Sequence, residues 1–160
     1  MSDERLPERP LDVMRLLETL ARHGVDFTVV GGVAVQVHGH RRTTRDLDVI
    51  PEPSRANLER LTAALEELNA RPTEIPGAGP PTVEQLATAA IVPPLTTDQG
   101  QLHVLNEVPG AAPYAELRSR ALVIALDGVD VPIVALDDLL AMKRATGRPD
   151  DLRDVEVLGG

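Results

Sequence analysis

The sequence predicts an α/β (α+β) fold, a small mixed β-sheet flanked by helices, and three observations carry that prediction. Helix-period apolar stripes alternate with short runs rich in β-branched residues. Two of those runs are joined by Asp127-Gly128, a tight-turn signal. The chain has 160 residues, which matches one domain at roughly 100–200 residues per domain and allows a stable core without cross-links.

Taken in order, LDVMRLLETLARHG at residues 11–24 reads as a helix with Val13, Leu16, Leu17 and Leu20 on one face and Gly24 as its stop. DFTVVGG reads as a strand ending in a double glycine, and GVAVQVHGH as a short helix. RDLDVI, residues 45–50, alternates polar and apolar before Pro51 and reads as a second strand. Ser54 caps a helix through Leu68 whose inner face is Leu58, Leu61, Leu65 and Leu68. Residues 71–100 hold six of the fourteen prolines and read as a long connection within a single domain spanning 1–160, with a short helix capped by Thr82 and Gln85. LHVLNE, residues 102–107, reads as a third strand and PYAELRSR as a short helix. ALVIAL and VDVPIV then form the hairpin, LDDLLAMKRATG a helix ending at Gly147, and DDLRDVEVL a last helical segment.

Composition narrows the function. The absence of cysteine removes disulfides, thiolate zinc sites and cysteine nucleophiles, and fits a reducing, cytoplasmic setting. The start, MSDERLPERP, is charged, so no signal segment is expected, and no apolar run approaches the roughly 20 residues of a membrane span. A net charge of −9 disfavours broad coating of nucleic acid. With Phe27 and Tyr114 as the only aromatics, there is no platform for stacking successive bases. Of the sixteen basic residues Lys143 alone is lysine.

Asp46 and Asp48 are the sharpest chemical feature. On a strand, residues i and i+2 share a face, so Asp-Leu-Asp sets two carboxylates side by side while Leu47 enters the core. Adjacent carboxylates repel, and a shared divalent cation or a basic neighbour relieves them. Upstream, Gly31-Gly32 leaves backbone amides open to a phosphate without matching a dinucleotide or P-loop spacing. Between the two lies a basic loop, HGHRRTTR. Amides, cations and carboxylates together are what nucleotide chemistry requires.

The run GGVAVQVHGHRRTTRDLDV, residues 31–49, resembles the GGxAxxxHGxxRxTxDLD signature of the minimal nucleotidyltransferases of the polymerase beta-like superfamily. LDDLLAMKRATGRPDDLRD, residues 136–154, resembles the tail of small bacterial members related to abortive-infection nucleotidyltransferase toxins. The resemblance implies a nucleotidyltransferase fold and transfer of a nucleoside monophosphate from a nucleoside triphosphate to RNA, such as a tRNA end, or to a protein acceptor. A toxin–antitoxin setting with a cognate partner also follows from it. It implies that Gly31 and Gly32 hold the triphosphate, that Asp46 and Asp48 bind Mg2+ or Mn2+, and that Lys143 approaches the phosphates. Asp151 or Asp154 matches the downstream acid, and Arg42 and Thr44 match the signature loop, Arg42 serving either a phosphate or a nearby acid. His103 stands where fuller sites of the superfamily carry a third carboxylate, and imidazole suits Mn2+ better than the hard Mg2+. That substitution makes a catalytically weakened member, acting as a nucleotide- or partner-binding regulatory module, the alternative reading. Asp98 and Glu107 are alternative third acids, Asp150 replaces a usual basic residue, and His38 is expected to be structural rather than a metal ligand with His40.

Overall fold

The computed structural model describes residues 9–75 and 77–159; the charged residues 1–8 lie outside the described part. Helix α1 (Val13–Arg22) starts where the Asp12 side chain accepts from the Arg15 amide, and Leu16, Leu17 and Leu20 are fully buried. Burying each of these leucines contributes roughly 1.5–3 kcal/mol relative to exposure. Strand β1 (Phe27–Val30) is buried along its whole length and runs directly into α2 (Gly31–Val37). Strand β2 (Asp46–Pro51) and helix α3 (Arg55–Glu67) follow, α3 capped by Ser54 and burying Leu58, Leu61 and Leu65.

The proline-rich stretch is more regular than a bare connection. It holds α4 (Val83–Thr88) over the expected Thr82–Gln85 capping box, and it also supplies strands β3 (Arg71–Pro72) and β4 (Leu95–Thr97). These strands are too short to show a sequence period. The third expected strand begins two residues early as β5 (Gly100–Val104) and stops before Asn106. After α5 (Tyr114–Arg120), the hairpin forms from β6 (Leu122–Leu126) and β7 (Val129–Ile133). Its turn residues Asp127 and Gly128 have φ of 48° and 80°, as a two-residue hairpin turn requires. Helix α6 (Leu136–Thr146) ends on Gly147 in the left-handed conformation, and α7 (Pro149–Val157) closes the fold.

Among the described residues the strands form one mixed sheet in the order β3-β4-β5-β2-β1-β7-β6. The pairs β2/β5 and β1/β7 are parallel, and the other neighbours are antiparallel. At the centre of the sheet, Leu47, Val49 and Leu102 are fully buried on one face, which leaves the alternate residues of β2 for the other. No helix of the described residues is long and apolar enough to cross a membrane.

Candidate active site

The period of β2 sends Asp46 and Asp48 to the face opposite Leu47, and the parallel pairing with β5 sets His103 directly beside Asp48. The ring Nδ1 of His103 lies 3.1 Å from Asp48 Oδ1 and its Nε2 lies 3.8 Å from Asp46 Oδ2. One ligand atom from each of the three residues falls within 4.8 Å of the others. Asp48 Oδ1 is sealed from solvent and receives no hydrogen bond of good geometry, although the imidazole is near. Burial, and then the charge of Asp48, raises the Asp46 carboxyl above its ordinary pKa. Pairing with Asp48 raises His103 against the opposing effect of burial. These three groups therefore fit a divalent cation, which would relieve the carboxylate repulsion and partner the orphaned oxygen.

The double glycine has a steric reason. Gly31 has φ of 66°, and a Cβ there would lie 1.9 Å from Asp48 Oδ2. At Gly32 a Cβ would lie 2.5 Å from Thr44 Oγ1. The missing side chains thus admit the Asp48 carboxylate and the Thr44 hydroxyl against the start of α2. Thr44 in turn donates to the Asp46 carbonyl oxygen at 3.1 Å, holding the entry to β2.

The tail helices meet the signature loop through buried ion pairs. Arg42 grips Asp154 with two hydrogen bonds, Nε to Oδ1 at 2.8 Å and Nη2 to Oδ2 at 2.9 Å. His40 Nδ1 is 3.1 Å from the same carboxylate, and Arg42 thus has the nearby acid as its partner. Lys143 lies 3.0 Å from Asp151 Oδ1 and 3.1 Å from Asp154 Oδ2, with its side chain only 12% exposed. It is therefore no ordinary surface lysine. Burial pushes the Asp151 carboxyl up, but donation from Thr146, Arg148 and Lys143 outweighs it and holds the group down at about 2. Asp154, which burial also opposes, is lowered by Arg42 and Lys143.

These parts converge on an open cleft of about 660 Å³. Gly32, Arg42, Thr44, Asp46, Asp48 and His103 line it, as do Lys143, Asp150 and Asp151, while Gly31 lines an adjoining pocket behind Asp48. Asp98 and Glu107 do not line it: Asp98 sits beyond β4, with its amide bonded to the Leu68 carbonyl, and Glu107 lies past the end of β5. His38 is not near the acids but has Nε2 2.7 Å from the Val134 carbonyl oxygen, tying α2 to the end of β7. Of the charged cleft residues Arg148 escaped the sequence reading, and Arg45 entered it only as part of the basic loop. Arg148 precedes α7 and reaches Asp151 at 2.9 Å while 76% exposed, and the only sequence signal for it was its place between the Gly147 stop and Pro149.

A mixed sheet carrying paired acids on its central strand, with a glycine-opened helix beside them and a cationic wall opposite, defines a nucleotidyltransferase fold. The chain belongs to the family described as nucleotidyltransferase of unknown function (DUF6036), which matches residues 11–158. Solved structures share the fold at low identity. The lincosamide antibiotic adenylyltransferase LnuA, seen with lincomycin bound, has a TM-score of 0.63 at 12% identity over 94% of this chain and 98% of its own. ANT(2")-Ia, in complex with adenylyl-2"-tobramycin, has a TM-score of 0.55 at 15% identity over 91% and 84%. An antigenic nucleotidyltransferase-like protein from Paracoccidioides brasiliensis has a TM-score of 0.53 at 16% identity over 94% and 78%. No curated protein is significantly similar in sequence.

Proposed function

We propose that this protein transfers a nucleoside monophosphate from a nucleoside triphosphate to an acceptor hydroxyl, using Mg2+ or Mn2+ held by Asp46, Asp48 and His103. The single observation that carries this reading is the cluster of those three side chains, whose ligand atoms fall within 4.8 Å of one another. A bound divalent ion would supply charge neutralisation at the reacting phosphate and at the departing pyrophosphate. The donor set, two carboxylates and one imidazole, suits Mn2+ over Mg2+.

The chain's own residues have separate tasks in this proposal. Gly31 and Gly32 seat Asp48 and Thr44 against the start of α2, so that the backbone there, with Gly32 on the cleft wall, lies beside the acids to meet the triphosphate. Arg45 and Arg148, both on the cleft wall, offer cations to the phosphates. Lys143, fixed between Asp151 and Asp154, sets the positive edge of the cleft beside the acids. Arg42 and Thr44 hold the loop that aims Asp46.

RNA, a protein side chain and a small molecule are the acceptor classes, and RNA or protein is what the signature's resemblance implies. The antibiotic adenylyltransferases that share the fold act beside small molecules, which supports the third class. The toxin–antitoxin setting is tested by co-expression with the neighbouring gene product, which relieves growth arrest if the pair is cognate. The test of the chemistry is incubation with each α-labelled triphosphate in Mg2+ and in Mn2+, reading pyrophosphate release and labelled acceptor. Metal-dependent release that Asp48→Asn abolishes is the expected result; a protein that neither binds metal-nucleotide nor releases pyrophosphate overturns the reading. A second reading, a regulatory module that binds nucleotide without turnover, is favoured by His103 pairing with Asp48 in place of a third acid. Binding without release marks that case.

A further inference from the structure

Adjoining the cleft is a small, mainly apolar pocket that includes Val30, Leu105, Leu139 and Met142 and shares Asp48, Lys143, Arg148 and Asp151 with it. Val108 lines both this pocket and a groove of about 570 Å³. One wall of that groove continues the sheet face that carries the acids. Ile50, which lines it, is two residues on from Asp48 in β2, and Thr28, the direct partner of Ile50 in β1, reaches the Tyr114 hydroxyl on the groove wall at 3.5 Å. Shared lining residues, Asp48 between cleft and pocket and Val108 between pocket and groove, thus mark a path along β2.

The groove's chemistry differs sharply from that of the cleft. Its lining is chiefly apolar, with Ile50, Leu58, Leu86, Val108 and several alanines and prolines. The Asn106 amide is already committed, donating to the carbonyls of Leu86 and Ala89 at 2.8 and 2.9 Å. No lysine or arginine lines the groove among the described residues, and Glu107 is its one charged side chain. Glu107 is exposed and takes part in no hydrogen bond or ion pair of the described residues. A volume near 570 Å³ suits a drug-sized molecule, for which sites run roughly 300–1,000 Å³.

We infer that this groove binds the acceptor, and that the acceptor is a small molecule with an apolar body, a protonated amine facing Glu107 and a hydroxyl directed along the path to Asp48. A polyanionic RNA meets the opposite of what it needs here, a carboxylate with no cation, on a chain of net charge −9. The triphosphate finds its cations in the cleft, at Arg45 and Arg148, which leaves the groove to the second substrate. The inference rests on the nucleotidyl transfer proposed above. In that reaction the acceptor oxygen bonds to the α-phosphorus as the bond to the bridging oxygen breaks. Pyrophosphate leaves, and the hydroxyl proton passes to the carboxylate pair and on to solvent.

The test uses matched pairs of cyclic compounds carrying a hydroxyl and either a primary amine or a methyl group at the same position, titrated into the isotope-labelled full chain. The amine member is expected to bind at least tenfold more tightly and to shift the amides of Ala87, Ala89, Asn106 and Ala111. Glu107→Gln is expected to erase that preference while ATP with diamagnetic Mg2+ still shifts the cleft residues, and Ala87→Trp, on exposed helix surface at the rim, to block both members of each pair. Equal binding of amine and methyl members, an unaltered preference in Glu107→Gln, or nucleotide alone shifting the groove overturns the inference. Pyrophosphate release separates the two levels. Release driven by RNA and not by amines leaves transfer standing and overturns the amine acceptor, whereas amine binding with no release from any triphosphate overturns transfer and the acceptor role with it.

Discussion

The carboxylate of Asp48 occupies the volume that a side chain at Gly31 would fill. A Cβ on Gly31 would stand 1.9 Å from Asp48 Oδ2 and 2.9 Å from Asp48 Cβ, on backbone already at φ of 66°. Side chain and backbone are locked together here, so the glycine is as much a part of the acid site as the aspartate.

Gly31→Ala is therefore expected to push Asp48 out of line with Asp46 and His103. Metal-nucleotide binding should fall at least tenfold by calorimetry. Placing alanine at a left-handed position costs on the order of 1–3 kcal/mol, so the melting temperature should drop as well. Gly32→Ala should displace the signature loop, because the new Cβ would lie 2.5 Å from Thr44 Oγ1 and 2.8 Å from Thr44 Cβ, which no side-chain rotation moves. Mn2+ affinity in Gly31→Ala equal to the parent's would show that the close packing does not set the acid geometry.

Asp154 joins three elements of the site. It is fully buried and meets His40, Arg42 and Lys143 from the signature loop and α6. Asp154→Asn leaves Arg42 without its countercharge and Lys143 with Asp151 alone, and breaking a buried pair from one side costs roughly 3–5 kcal/mol. Thermal unfolding should fall by roughly 10 °C for a chain of this size. Asp150→Asn, an exposed acid at the start of α7, serves as the control and should change stability by about 0.5 kcal/mol or less.

Much of this was legible in the sequence because it is local. Two carboxylates two residues apart on a strand must share a face, Gly147 marks a helix end, and Asp127-Gly128 marks a hairpin. The resemblance of the signature run placed Gly31, Gly32, Arg42, Thr44, Asp46 and Asp48 in one candidate site and that of the tail added Lys143 and Asp151 or Asp154; all but Asp154 line the cleft or the pocket that shares Asp48 with it. What stayed hidden depends on contacts distant along the chain. The grip of Arg42 on Asp154 spans 112 positions, and no spacing rule predicts it. Short β3 and β4 are strands only because they pair with β5 and with each other, while the prolines around them read as a connection. Arg148 enters the cleft through the angle between α6 and α7, which is a property of packing.

Acid should weaken the tail's anchorage. Asp151 is held down at about 2, below the roughly 3.9 of an aspartate in an unfolded chain, and Asp154 is shifted in the same direction. A carboxylate with a lowered folded pKa contributes stability that is full above its unfolded value and drains away as pH falls through the folded one. The Asp151 contribution is on the order of 1 kcal/mol once solvent screening at the rim is discounted, and it should disappear between about pH 4 and 2. In denaturant titrations across that window, the parent should lose more stability than Asp151→Asn. Parallel pH profiles for the two proteins would assign the acid sensitivity to other groups.

His103 decides between a working transferase and a weakened module. Two carboxylates and a neutral imidazole carry one negative charge fewer than three carboxylates, and imidazole is a poor match for hard Mg2+. The parent should therefore prefer Mn2+ to Mg2+ in both binding and transfer. His103→Asp places a third carboxylate beside Asp48 in the same β2/β5 register, where the ring now lies 3.1 Å from Asp48 Oδ1. Mg2+ affinity and Mg2+-dependent transfer should rise, while metal-free stability should fall slightly as three carboxylates repel. The comparison requires metal titration, melting in chelator and transfer rate, each for parent and variant in both metals. If the parent turns over rapidly in Mg2+ and His103→Asp abolishes that turnover with the fold intact, histidine is a working ligand and not a lost acid. The site would then be tuned to imidazole, and the regulatory-module reading would have no remaining support.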